Sequence, residues 1–238
     1  MNARDLPEIA LVPETRIGFW FLGTQTWTVH VIRVALNDLV RLIPERRGAY
    51  PVVLDVGCGQ GKSFRPLIEH FAPQRLIGVD ADERALERAR REAGTEATPI
   101  ELRLGDAAAL GLADSSVDLV FCHQTFHHLT RQEEALLELH RVLKPGGLLL
   151  FAESTRAYIE SWLIRLLFRH PMDVQRSAGE YEAMIRAYGF EFGPQNVSYP
   201  YLWWSRSDLG ALEFWGFGVP PHGEREETLV NLVATKPL

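Results

Sequence analysis

The stretch Leu54-Asp-Val-Gly-Cys-Gly-Gln-Gly61 sets three alternating glycines directly after an apolar run and an acid, and Lys62-Ser63 follow it. Glycines so spaced allow positive φ angles and let a ligand approach the backbone closely. A phosphate-binding loop would read Gly-x-x-x-x-Gly-Lys-Ser/Thr, but counting back from Gly61-Lys62-Ser63 puts the first glycine at Val56, so that spacing fails. A dinucleotide loop would read Gly-x-Gly-x-x-Gly, and after Gly57 and Gly59 the third glycine, Gly61, arrives one residue early. Asp55 adds a carboxylate, which suits a ligand bearing positive charge and repels pyrophosphate. Nineteen residues past Gly61, Leu76-Ile-Gly-Val-Asp80 ends a second apolar run in an acid, placed as ribose-binding acids are in nucleotide folds. A ligand with a ribose and a cationic part, and no phosphate, is implied.

A second chemical cluster is Cys122, His123, His127 and His128. Histidines at i and i+4 can share a helix face and a metal ion. His123 closes an apolar run expected to be extended, which breaks that spacing, so no metal site is expected.

The elements that must carry these residues are visible as alternation. Apolar runs at Val52 to Val56, Leu76 to Val79, Ile100 to Leu104, Val117 to Cys122, Leu148 to Ala152, Val197 to Trp203 and Thr228 to Ala234 read as strands. Between the first five lie Ser63 to Phe71, Asp82 to Ala93, Ala107 to Leu110 and Gln132 to Leu143, which read as helices. Lys144-Pro-Gly-Gly147 stops the last of these, and Gly189-Phe190 closes a further helix from Gly179 to Tyr188. Such alternation predicts an open, doubly wound α/β sheet with helices on both faces. Two segments stand outside it. Residues 1–50 hold the aromatic stretch Gly18-Phe-Trp-Phe21 and an apolar-periodic helix from about Thr28 to Ile43; residues 155–176 form an insertion after the fifth strand. Both can cover the C-terminal edge of the sheet, where ligands of such folds bind, and are expected to act as lid and cap over the domain spanning 51–238.

With these residues in place, the sequence resembles the class I S-adenosylmethionine-dependent methyltransferases, in the branch that includes quinone-biosynthesis and many small-molecule enzymes. The resemblance covers about Val52 to Glu153. It rests on LDVGCGQG (54–61), IGVDAD (77–82), LGDAAALGLADSSVDLVFCHQTFHHL (104–129) and RVLKPGGLLLFAE (141–153), in that order. It implies a Rossmann-like, seven-stranded, mostly parallel sheet with an antiparallel last strand, and S-adenosylmethionine as cofactor, with S-adenosylhomocysteine as product. Gly57, Gly59 and Gly61 would then shape the loop against the methionine part, and Asp55 would reach its amino group. Asp80 would take the ribose hydroxyls and Ala81 would lie near the adenine. Asp106 and the Ala107 N–H would pair with the adenine, while His123 and Gln124 would stand near the reacting methyl. Gly111, where many relatives have proline, and Val117, where phenylalanine is usual, depart from the pattern outside these contacts.

Methyl transfer from a sulfonium needs mainly alignment and exclusion of water; a base helps where the acceptor must lose a proton. His127, His128 and Glu153, near the ends of the fourth and fifth strands, are the candidate bases, each with a structural role as the alternative. Most aromatic residues fall in the outlying segments: Phe19, Trp20, Phe21, Trp27, Trp162, Phe168, Tyr201, Trp203, Trp204, Phe214, Trp215 and Phe217. As a group they point to a small apolar or aromatic acceptor, methylated on O, N or C. The alternatives are S-adenosylmethionine binding with other chemistry, or a catalytically silent cofactor- or partner-binding protein.

The bulk properties agree with a single soluble domain plus appendage. The chain has 238 residues, 46% of them hydrophobic, and a net charge of -6. That acidic balance opposes nucleic-acid acceptors, and Arg84 to Arg91 interleave with Glu83, Glu87 and Glu92 as a solvated helix face does. No apolar run approaches the roughly 20 residues of a membrane span. Trp162 to Phe168 carries Arg165 and reads as a helix packed on the protein or lying on a membrane surface. Cys58 and Cys122, both within apolar runs, suit a reduced cytoplasmic chain, and a monomer or homodimer is expected.

Overall fold

The computed structural model describes residues 14–45, 49–201, 215–216, 218 and 221–238. Seven strands form one sheet: β1 (Val52–Val56), β2 (Arg75–Asp80), β3 (Ile100–Leu104), β4 (Val117–His123), β5 (Leu143–Ser154), β6 (Val197–Ser198) and β7 (Leu229–Thr235). Their order is β3-β2-β1-β4-β5-β7-β6, with β7 antiparallel to both its neighbours and the pairs from β3 to β5 parallel. The doubly wound, Rossmann-like sheet with an antiparallel last strand is therefore present. Its chain order reverses between β1 and β4, the switch point at which open α/β sheets bind ligands.

Both faces of the sheet are buried, which is why its strands read as near-continuous apolar runs. Leu54, Val56, Ile77, Val120 and Phe151 face α6 (Gln132–Val142) and α9 (Ala178–Ala187). Val53, Leu76, Leu119 and Leu150 face α3 (Arg33–Leu42), α4 (Phe64–Phe71) and α5 (Glu83–Ala93). Local signals set the helix ends. Asp82 caps α5 by accepting from the Arg84 N–H at 2.9 Å, and Ser177 with Glu180 forms a reciprocal capping box at α9.

Four expectations shift. The helix expected from Thr28 opens as a π turn, Thr28–Ile32, before α3 begins. Ala107 to Leu110 is a turn, because the Asp106 side chain accepts from the Ala108 N–H at 2.8 Å and its carbonyl from the Ala109 N–H at 2.9 Å; a local carboxylate offers the backbone an alternative to helix. Leu143 to Gly147 already belongs to β5, as a bulge whose register jumps between the pairs Val117–Leu143 and Leu119–Leu148. The sixth strand is only Val197–Ser198; Trp203, at the end of the expected run, lies outside the described residues, as do Trp204, Phe214 and Phe217.

The outlying segments are short helices: α1 (Arg16–Phe21) and α2 (Gln25–Trp27) before α3, then α7 (Arg156–Ile159) and α8 (Trp162–Leu167) after β5. Thr15 ties them together, capping α1 and donating to the Leu167 carbonyl at 2.6 Å. α8 packs through buried Ile164 and leaves Trp162 78% and Leu166 70% exposed. Among the described residues no helix is long and apolar enough to cross a membrane.

Candidate active site

A cavity of about 330 Å³ opens at the C-terminal ends of β1, β2 and β4. Its wall contains every residue assigned to the cofactor from the sequence except Gly61, which lies behind it: Asp55, Gly57, Gly59, Asp80, Ala81, Asp106, Ala107, His123 and Gln124. Gly57 has φ +70°, and a Cβ there would lie 2.1 Å from the Thr125 hydroxyl oxygen, so the loop can close on the strand-four turn only with glycine. Gly59, at φ +52°, faces open space. Its N–H donates to Asp80 at 2.7 Å, and the other Asp80 oxygen accepts from the Asp82 N–H at 2.8 Å. Asp80 thereby fixes the loop while each oxygen keeps a lone pair for a further donor.

Burial disfavours the charged form of two acids in this wall. Burial pushes the Asp55 carboxyl up to about 7, against the pull of the Ser63 hydroxyl that donates to it and with a further push from the Asp80 charge. Burial also raises Asp80. Asp106 accepts from the exposed Arg131 guanidinium as well as from Ala108. Cys58 and Cys122 are both buried, and burial drives their thiols well above the ordinary range, so neither offers a thiolate nucleophile.

The N-terminal helices close this cavity from above. Gln60, between two of the loop glycines, donates to the Phe19 carbonyl at 2.6 Å and accepts from Arg88 at 3.0 Å. The Arg88 and Arg84 guanidinium groups stand 4.5 and 5.3 Å from the centre of the Phe19 ring. The charged face of α5 therefore holds α1 as well as facing solvent. Trp27 leans on His123 at 5.8 Å between ring centres, and His123 stacks on Phe121 at 5.6 Å.

A second cavity of about 320 Å³ lies between α1, α7, α8 and the turn after β4, and shares Glu14, Leu22, Trp27, Gln124 and His128 with the first. Ile17, Trp20, Phe21, Tyr158, Ile159 and Phe168 make it largely apolar. Its polar end is a group the sequence did not bring together: His127, His128 and His170, with Glu14 beside them. Burial and the neighbouring imidazoles push His128 well below the ordinary histidine range, and His170 falls to about 3 for the same reasons.

The candidate bases separate here. Glu153 is fully buried and lines neither cavity. It accepts from the Thr125 and Phe126 N–H groups, both at 2.7 Å, and holds His127 Nδ1 at 2.6 Å. The sequence places it at the open edge; the structure turns it inward, because the strand-four turn presents its free amides to that carboxylate. Glu153 is a positioning group, not a base in contact with a ligand. His127 lines only the second cavity, and His128 stands on the wall of both. His170 and Glu14 carried no sequence signal, since each is an isolated residue in an irregular segment. Gln60 could have been noticed as the polar residue between Gly59 and Gly61.

Compared with known proteins, residues 54–151 match the family described as a methyltransferase domain. These residues form a methyltransferase domain. Over 137 residues it is 34% identical to a demethylmenaquinone methyltransferase of Deinococcus radiodurans, covering 54% of this chain and 56% of that one. Over 209 residues it is 28% identical to a 24-methylenesterol C-methyltransferase of Oryza sativa, covering 79% of this chain and 53% of that one. The chain thus spans about half the length of these relatives. Among solved structures, an S-adenosylmethionine-dependent methyltransferase of Mesorhizobium loti superposes with a TM-score of 0.63 at 20% identity, covering 90% of this chain and 98% of that one.

S-adenosylmethionine is the cofactor of this class, and the first cavity fits it. Gly59 leaves room where a side chain would stand, Asp80 offers two lone pairs at the end of β2, and Asp55 is a buried carboxyl that a cation would stabilise in its charged form.

Proposed function

We propose that this protein transfers a methyl group from S-adenosylmethionine to a small apolar or aromatic acceptor held in the second cavity. The carrying observation is the joining of two cavities of opposite character at Gln124, Trp27 and His128. The first wall bears carboxylates for a cationic, ribose-containing ligand; the second bears aromatic and aliphatic side chains with imidazoles at one end. The relatives named for a demethylmenaquinone and a 24-methylenesterol support an apolar ring-bearing acceptor.

When bound, the cofactor supplies an electrophilic methyl on a sulfonium. The chain's own contribution is alignment and a dry site, which can lower the barrier by about 7 to 11 kcal/mol. Gly57, Gly59 and Gly61 shape the loop; Asp55, Asp80, Ala81, Asp106 and Ala107 hold the cofactor; His123 and Gln124 face its reacting end. Gln124 adopts φ +51° and accepts from the Ser154 hydroxyl at 2.5 Å, which fixes its side chain at the junction. Within the N-terminal segment α1 and α2 form the lid, closed by the Phe19 clasp, while α3 packs on the sheet, and residues 155–176 are the cap. His128 contacts the acceptor group that receives the methyl, and His127, oriented by Glu153, supports it.

Calorimetry with S-adenosylhomocysteine followed by a labelled-methyl screen of phenols, quinols and sterols tests this. Binding with label recovered in an organic extract is the expected result. Failure to bind S-adenosylhomocysteine overturns the reading; binding with no labelled product from any apolar acceptor overturns the methyl-transfer step and leaves other chemistry or a silent binding role.

A further inference from the structure

The three imidazoles at the end of the second cavity lie closer together than acceptor binding alone requires. The ring centres of His127 and His128 are 4.2 Å apart, those of His128 and His170 4.8 Å, and those of His127 and His170 5.1 Å. One nitrogen from each lies within 4.8 Å of the other two. We infer that His127, His128 and His170, completed by Glu14, form a site for one divalent transition-metal ion of the zinc type at the polar end of the acceptor cavity.

The tautomers support this. Glu153 receives two backbone N–H groups and holds His127 Nδ1 at 2.6 Å, so Nδ1 is the protonated nitrogen and Nε2 turns its lone pair to the cluster. A carboxylate behind a histidine is the arrangement that orients metal-ligating imidazoles. Glu14 supplies the fourth group. Its Oε1 stands 3.7 Å from His128 Nε2, and its Oε2 is buried with no hydrogen-bond partner. A buried carboxylate oxygen without a partner is costly, and a metal ion would satisfy it.

Three nitrogens and a carboxylate oxygen, with no thiolate, form a set that suits zinc, nickel or iron more than a soft-metal site. Zn–N bonds of about 2.0 to 2.1 Å place tetrahedral nitrogens roughly 3.3 Å apart. The imidazoles therefore draw in on binding. His170 and Glu14, which lie outside helices and strands, are the groups free to do so. Resting on the methyl-transfer reading, the ion would favour an acceptor with a phenol or enol hydroxyl, whose oxygen would add as a fifth ligand and whose acidity the metal would raise.

Cobalt(II) is the probe, titrated into the chelator-stripped full chain with and without S-adenosylhomocysteine. The expected result is one bound ion with visible d–d bands, displaced by zinc, and binding weakened by at least about tenfold in His170→Ala, a residue that lines only the second cavity. S-adenosylhomocysteine affinity unchanged in His170→Ala shows that the variant is folded. Wild-type protein that binds the product but develops no cobalt bands and takes up no zinc overturns the inference, as does unchanged metal affinity in His170→Ala. Metal uptake without product binding supports the metal site while removing the cofactor reading.

Discussion

The two cavities share a wall but are built in different ways. The cofactor side is made of strand ends and one glycine loop, locked by backbone N–H groups donating to Asp80 and Glu153 and by the Ser63 hydroxyl donating to Asp55. The acceptor side is made of helices of four to six residues, α1, α7 and α8, held by scattered contacts such as Thr15 to Leu167 and Phe21 against Phe168. Short helices gain little stability on their own and depend on packing. A half built on the sheet is thus joined to a half built on short helices, proposed above to hold the acceptor, and the two halves should answer mutation differently.

Glu153 is where that contrast breaks most severely. Glu153→Ala leaves two amide donors and His127 without their buried acceptor, and removing one partner of such a set costs about 3 to 5 kcal/mol. Urea denaturation should show a midpoint lowered to match, with cofactor and acceptor functions lost together. A variant as stable as the wild type would show that the halves are not joined through this carboxylate.

Asp80→Ala separates the halves. Its carboxylate touches only the cofactor side, so cofactor affinity should fall by about 1 to 3 kcal/mol, and cobalt uptake at the histidines should remain. Unchanged affinity in calorimetry would refute the placement of Asp80 against the ribose.

Asp55 gives a pH-dependent version of the same separation. Its ordinary value is 3.8 and its folded value about 7, so the folded chain holds a proton that the unfolded chain releases between those values. The stability this contributes is full below the ordinary value and is lost as pH rises through about 7. A bound ammonium favours the carboxylate, so cofactor affinity should run the other way, rising by up to about tenfold per unit as pH climbs towards neutrality. Calorimetry in buffers of different ionisation enthalpy should detect proton release near pH 6. Affinity independent of pH, or the same profile in Asp55→Asn, would sink the assignment.

The same division explains what the sequence showed. β1 and β3 have the bounds read from their apolar runs, and Asp82 caps the helix expected to follow it, because these signals lie within a few residues of what they control. Ala107 to Leu110 misled because a single side chain, Asp106, captures the backbone that a helix would have used. The histidine cluster was hidden for another reason. His127 and His128 are adjacent in the chain, but His170 and Glu14 join them only through tertiary folding of irregular segments, and no periodicity announces such a meeting. Glu153 was visible as an acid at a strand end, yet its direction depends on amides of a different turn.

The smallest expected effect is the sharpest probe of the acceptor half. Trp20 is 65% exposed yet forms part of the second cavity's wall, and lies outside the first. An exposed residue of this kind contributes little to folding, so Trp20→Ala should change stability by less than about 0.5 kcal/mol. If it helps to close an apolar acceptor site, the same change should raise KM for an apolar acceptor several-fold while kcat and cofactor affinity stay level, since it removes contact made equally in ground and transition states. Trp162→Ala, on α8 and outside both walls, is the control: an exposed tryptophan, at 78%, with no cavity contact. Equal KM values for the two variants would mean that the second cavity is not where the acceptor sits.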